Sequence, residues 1–155
     1  MNRILIAATL LALGTTAALA QDAAAPAAAP APAAAAPAAA GAVAAGDPEK
    51  GANVFKKCMA CHAIGEGAKN KVGPELNGIV GRKMGSVAGF NYSETLKQHN
   101  ASGEVWDAEK LNKYLENPKG YLPGIKMVFA GLPKDGDRAD LEAYLVQFDE
   151  TGKKK

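Results

Sequence analysis

The chain has 155 residues, 18 Lys+Arg against 16 Asp+Glu, 48% hydrophobic residues and two cysteines. That length holds one domain by default. A net charge of +2 excludes a strongly basic nucleic-acid binder, and two cysteines cannot build the multi-bridge staple of a small secreted scaffold. Much of the hydrophobic fraction is alanine packed into the first 45 positions.

Residues 1–20 read as a secretory signal. Arg3 supplies a positive n-region, Ile4 to Leu13 is apolar apart from Thr9, and Ala18-Leu19-Ala20 makes a small-x-small cleavage site before Gln21. The alternative is an uncleaved anchor, since Ile4 to Ala20 is 17 residues, at the short limit for a membrane span. Either reading exports the rest of the chain, to the periplasm or the outer face of a membrane. Residues 21–45 are alanine interrupted by Pro26, Pro30, Pro32 and Pro37. With no large apolar side chain to bury, they are expected to form a disordered, semi-extended tether.

The folded part is expected to start near Gly46. Asp47-Pro48-Glu49 is a helix start, with a capping acceptor, proline at the first helical position and an acid facing the dipole. That helix is expected to run through Val54 and Phe55 towards Cys58. From Ala63 to Gly89, seven glycines and Pro74 replace any regular period. A loop this long in a small domain needs a reason, and a non-protein group filling the middle of the fold supplies one. Ser93 to about His99 reads as a short helix, and Asp107 caps another that Pro118 ends. Tyr121 to Leu132 is irregular again. Leu141, Tyr144, Leu145 and Phe148 then repeat at helical spacing, with Asp135 and Asp137 near the start of that last helix. Strand signals are few, so the expected domain (residues 46–150) is mostly α with long loops, followed by a basic C-terminal tail, residues 151–155.

Cys58-Met59-Ala60-Cys61-His62 has the C-x-x-C-H spacing of covalent c-type haem attachment. Cysteines three apart on a helical turn lie on one side, within reach of the two vinyl groups of one porphyrin. The next residue offers an imidazole to the iron from the same face. A thioredoxin-like dithiol would want strands nearby, and a zinc site would want four ligands. A plain disulfide would leave the glycine-rich loop unexplained. A second axial ligand could come from Met59, Met84 or Met127. Met59 lies within the motif itself, and an isolated methionine is most often a core gap-filler.

Gly46-Asp47-Pro48-Glu49-Lys50-Gly51, the Cys58–His62 motif, Gly73-Pro74-Glu75-Leu76, Gly81-Arg82-Lys83, Trp106, Tyr114-Leu115-Glu116-Asn117-Pro118-Lys119 and Pro123-Gly124-Ile125-Lys126-Met127 occur in that order. Arg138-Ala139-Asp140-Leu141 and Tyr144-Leu145 follow. From Gly46 to Phe148 the chain resembles a class I cytochrome c, similar to mitochondrial cytochrome c and its small soluble bacterial relatives. The resemblance implies a class I cytochrome c fold, helices and long loops wrapped around one haem c held through Cys58 and Cys61. It implies His62 and Met127 as axial ligands, with Pro74 beside the histidine and Tyr114 near the methionine sulfur. Arg82, Tyr92 and Trp106 would surround the propionates, and Gly51 and Phe55 would meet Leu141 and Tyr144 where the terminal helices cross. Three features depart from the mitochondrial pattern. The stretch from Tyr92 to Trp106 is longer and contains His99, read as an exposed side chain. Ile125 stands in place of a threonine, and Gly120 in place of a lysine.

The implied function is single-electron shuttling by a monomer without bond-making catalysis. The implied partners are a bc-type quinol-oxidising complex, a terminal oxidase, a photosynthetic reaction centre or a periplasmic dehydrogenase. Lys56, Lys57, Lys71, Lys119 and Lys126 flank the ligand segments and are expected to form a basic docking rim. The alternative is a haem enzyme or gas sensor, peroxidase-like, with an open sixth coordination position.

Overall fold

The computed structural model describes residues 45–155. The expected export signal, and all but the last residue of the expected tether, lie outside the described residues. Helix α1 (Pro48–Phe55) begins where the Asp47 carboxylate accepts from the Glu49 and Lys50 amides at 2.9 and 3.2 Å. Those amide bonds hold the Asp47 carboxyl below its ordinary value. α1 is shorter than its pattern suggests: it ends at Phe55, and turns carry the chain on through Cys61. α2 (Glu94–Ala101) is capped by Ser93, and α3 (Ala108–Glu116) by Asp107, which accepts from the Lys110 amide at 2.8 Å. Pro118 ends α3 as expected. It also opens α4 (Pro118–Tyr121), a single turn inside the stretch expected to be irregular, with Asn117 accepting from the Gly120 amide at 3.1 Å. α5 (Asp135–Leu145) lacks a side-chain cap, but Asp135 and Asp137 in its first turn complement the helix dipole. Among the described residues the only β pairings are two isolated bridges, Lys83 with Val105 and Phe148 with Lys154. The domain is mostly α.

α5 packs against both α1 and α3. A Cβ placed on Gly51 would lie 1.9 Å from the Asp140 carbonyl oxygen and 2.7 Å from Tyr144 Cβ, so the backbones of α1 and α5 touch there. One turn on, the Phe55 ring sits 5.3 Å from that of Tyr144, which meets Phe148 at 5.2 Å. Leu111, Leu115, Leu141 and Leu145 join Phe55 in the buried core. The C-terminal residues fold back onto this body. The Asp149 amide donates to the Lys153 carbonyl at 2.9 Å, the Lys155 amide donates to the Gln147 carbonyl at 2.8 Å, and the Lys154 ammonium lies 5.7 Å from the Phe148 ring.

The crossing predicts a contrast between two glycines. Gly51→Ala should lower stability by about 1–3 kcal/mol through overpacking against a backbone that cannot retreat. A Cβ on Gly136, also helical, would meet nothing within 4 Å, so Gly136→Ala should stabilise by up to about 1 kcal/mol. Chemical denaturation of the two holoprotein variants checks both signs.

Candidate functional site

The loops between α1 and α5 close around a largely apolar cavity of about 460 Å³. Its walls include the Cys58–His62 turn, the loop through Gly73, Pro74, Leu76 and Ile79, parts of the stretch from Arg82 to Leu96, the α3 residues Leu111, Tyr114 and Leu115, and the segment Ile125–Phe129. Leu141 and Leu145 of α5 complete it. This size suits a single cofactor.

The Cys58 carbonyl accepts from both the Cys61 and His62 amides, at 3.0 and 2.8 Å, so the motif forms a helical turn. That turn places both sulfurs and the imidazole on the cavity wall. The sulfurs are not bonded to each other, and burial pushes the Cys58 thiol up, the opposite of an activated redox dithiol. No cluster of three or more His, Cys, Asp or Glu suited to a metal ion occurs among the described residues.

His62 is held from behind. Its Nδ1–H donates to the Pro74 carbonyl at 2.7 Å, which fixes the tautomer and leaves the Nε2 lone pair free. Burial pushes its pKa below the ordinary imidazole value, so it is a neutral donor. A Cβ on Gly73 would lie 2.3–2.8 Å from three atoms of the His62 ring. Only glycine allows the 73–74 loop to grip the imidazole this closely.

The three candidate methionines separate cleanly. Met59 is 53% exposed and Met84 is 1% exposed, and neither lines the cavity. Met127 does, and its sulfur accepts from the Tyr114 hydroxyl at 3.6 Å. The Tyr114 ring in turn packs 4.8 Å from Trp106. Burial pushes the Tyr114 phenol well above its ordinary value, so it remains a donor at any physiological pH.

Arg82, Tyr92 and Trp106 all reach the cavity. Arg82 is anchored rather than free: Nη1 donates to Glu75 Oε1 and to the Asn77 carbonyl at 2.7 Å, and Nη2 donates to the Glu75 carbonyl at 2.8 Å. Tyr92 accepts from the Val87 amide at 3.3 Å. Glu75 and the buried Asn77, which clasps the Gly65 amide and carbonyl, are supporting residues that no sequence spacing singles out.

Of the expected basic rim, Lys57 and Lys126 line the cavity. Lys57 faces Asp137 at 3.7 Å, and Lys126 donates to the Asn91 and Tyr92 carbonyls at 3.1 Å. Lys56 donates to Asn53 at 2.8 Å, and Lys71 donates to the Met59 carbonyl. His99 is half-buried rather than exposed, its Nδ1 lying 2.9 Å from Glu104, and it does not line the cavity.

The family model for cytochrome c matches residues 48–149. The chain belongs to the cytochrome c family. It is 74% identical to cytochrome c-550 of Ancylobacter novellus over 107 residues, which cover 69% of this chain and all of that protein. It is 54% identical to cytochrome c2 of Rhodoplanes tepidamans over 109 residues, 70% of this chain and 99% of that one. Among solved structures, cytochrome c2 from Rhodospirillum Centenum matches with a TM-score of 0.64 at 42% identity, covering 67% of this chain and 99% of that chain. The donor set, two thiols on one turn, a neutral imidazole and apolar walls, fits the family's cofactor. This cytochrome carries one haem c on Cys58 and Cys61 and works as a monohaem electron shuttle. Among the described residues no helix is long and apolar enough to cross a membrane.

The close approach at Gly73 generates a test. Gly73→Ala should push the imidazole off the Pro74 carbonyl and convert part of the ferric holoprotein from a low-spin to a high-spin absorption spectrum. Glu66, exposed and not on the cavity wall, serves as the control. Glu66→Ala should leave the spectrum unchanged.

Proposed function

We propose that His62 and Met127 would be the two protein ligands of the haem iron, which would leave no position for a substrate and make this cytochrome an electron carrier. One observation carries the reading: Met127 alone of the three candidate methionines enters the cavity that holds the free His62 Nε2, and Tyr114 orients its sulfur. Bound there, haem supplies an iron that cycles between ferric and ferrous forms by one electron. The Met127 thioether is a soft donor that favours the ferrous form and raises the potential. The apolar walls from Leu111, Leu115, Leu141 and Leu145 act in the same direction, because they solvate extra positive charge poorly. The Pro74 and Tyr114 hydrogen bonds hold both donors in one arrangement, so little has to move when the electron does. Arg82, Tyr92 and Trp106 would bind the propionate edge.

The electron-transfer partners are membrane complexes of the kinds named above, or a periplasmic dehydrogenase. They are met in the periplasm or at the outer face of a membrane, where residues 1–20 would direct the chain and residues 21–45 would act as its tether. Docking runs through the basic rim. Lys57 and Lys126 line the cavity while Lys56, Lys71 and Lys119 do not, and the Lys57–Asp137 pair reduces the net field on one side.

Two predictions follow from these assignments. Met127→Ala should abolish the sulfur-to-iron absorption of the ferric protein and lower the midpoint potential, while Tyr114→Phe should keep the absorption and shift the potential less. Potentiometric titration with optical detection reads both, and an unchanged potential in Met127→Ala would mean that another residue is the ligand. Lys119→Glu should slow oxidation by an acidic partner complex at low salt, with the difference fading as the Debye length shortens from about 30 Å at 0.01 M to about 8 Å at 0.15 M. Stopped-flow kinetics across ionic strength measures this.

A further inference from the structure

Glu142 is 1% exposed, and its Oε1 is the one buried side-chain polar atom without a hydrogen-bond partner among the described residues. The buried cation beside it is already engaged. Arg138, one turn earlier on α5, donates from Nε to Asn112 at 3.0 Å and from Nη1 to the Leu132 carbonyl at 2.6 Å, and pairs through Nη2 with Asp135. Two groups act on the Glu142 carboxyl, Asn112 of α3 and Arg138 of its own helix. α1 meets α5 at Asp140 and Tyr144 and brings no charge to bear on it, the nearby Lys57 being opposite Asp137. The helix that buries Glu142 is also a wall of the haem cavity, through the adjoining Leu141 and through Leu145.

We propose that Glu142 is a redox-linked proton site, taking up a proton from solvent when the iron gains an electron and releasing it on oxidation. The charge and particle balance is simple. One electron arrives from the donor that the shuttle serves, and up to one proton from water forms an O–H bond on the Glu142 carboxylate. Oxidation returns both. The driving force is electrostatic: ferric haem bears one more positive charge than ferrous, so the carboxylate is favoured in the oxidised protein and the acid in the reduced one. Both charges sit in poorly polarisable surroundings, where their interaction is long-ranged and little screened by salt.

Burial outweighs the pull of Asn112 and Arg138 and raises the Glu142 pKa from 4.5 to about 7, which puts the exchange in the physiological range. The sign follows. A deprotonated Glu142 stabilises the ferric form, so the midpoint potential falls as pH rises through neutrality. Folding also favours the protonated acid, so the stability that Glu142 contributes is complete below 4.5 and lost as pH rises towards about 7.

The proposal rests on haem being held in this cavity and not on the Met127 assignment. Loss of a ligand would alter the absorption spectrum, which a change at Glu142 should leave intact. The test is the midpoint potential of the holoprotein against pH, for wild type and Glu142→Gln. The expected result is a potential that declines across neutral pH in wild type and stays flat, near the wild-type low-pH value, in the variant. A variant that keeps the wild-type slope overturns the proposal. Should Glu142→Gln not fold, reduced-minus-oxidised infrared spectra of wild type carrying isotope-labelled glutamate replace it. Gain of a protonated glutamate carbonyl band on reduction near pH 7 supports the proposal, and no such band overturns it.

Discussion

A cavity of about 460 Å³ lies at the centre of a body of little more than a hundred residues. Its walls are core side chains, Phe55, Ile79, Leu111, Leu115, Leu141 and Leu145 among them, which would face water without a group to pack against. Haem is therefore a core component as well as a redox centre. The covalent links at Cys58 and Cys61 make that core permanent, and the loops around it can stay irregular because their apolar side chains face the cofactor rather than one another.

The same dependence explains the placement of the polar groups. The gripping contact at His62 needs a neutral ring with one nitrogen committed, and the Pro74 carbonyl provides it. Tyr114 serves the thioether on the Met127 side. Behind the cavity, Arg138 ties α5 to α3 and to the Leu132 carbonyl while itself 4% exposed. Glu142 lies in the same region without an ion pair of its own. The helix that closes the haem pocket thus buries a carboxyl whose pKa is pushed up to about 7 by that burial.

Much of this was legible in the chain. Asp47-Pro48 announces α1, the period of Leu141, Tyr144, Leu145 and Phe148 announces α5, and the cysteine spacing with its adjoining histidine announces the cofactor, because each is a local rule. What was not legible depends on contacts distant in sequence. Spacing alone left Met59, Met84 and Met127 open. Only the fold sends Met84 into the core, where Asn100 holds its carbonyl, and Met59 out to solvent. Glu142 follows Leu141 in an acid-rich helix, and no local pattern marks it as buried, though it is 1% exposed with Asn112 of α3 hydrogen-bonded to it. Likewise the basic C-terminal residues read as a tail, yet the chain turns back at Asp149 to lay Lys154 over Phe148.

Proton NMR of the ferrous holoprotein tests the central claim most directly. If the Met127 thioether and the His62 imidazole clasp the iron, the Met127 methyl protons lie over the porphyrin face. They should then resonate far upfield of any ordinary methyl, with through-space contacts to the Tyr114 ring. A spectrum with no methionine methyl in that region, or with the upfield signal assigned to Met59 or Met84, would contradict the account.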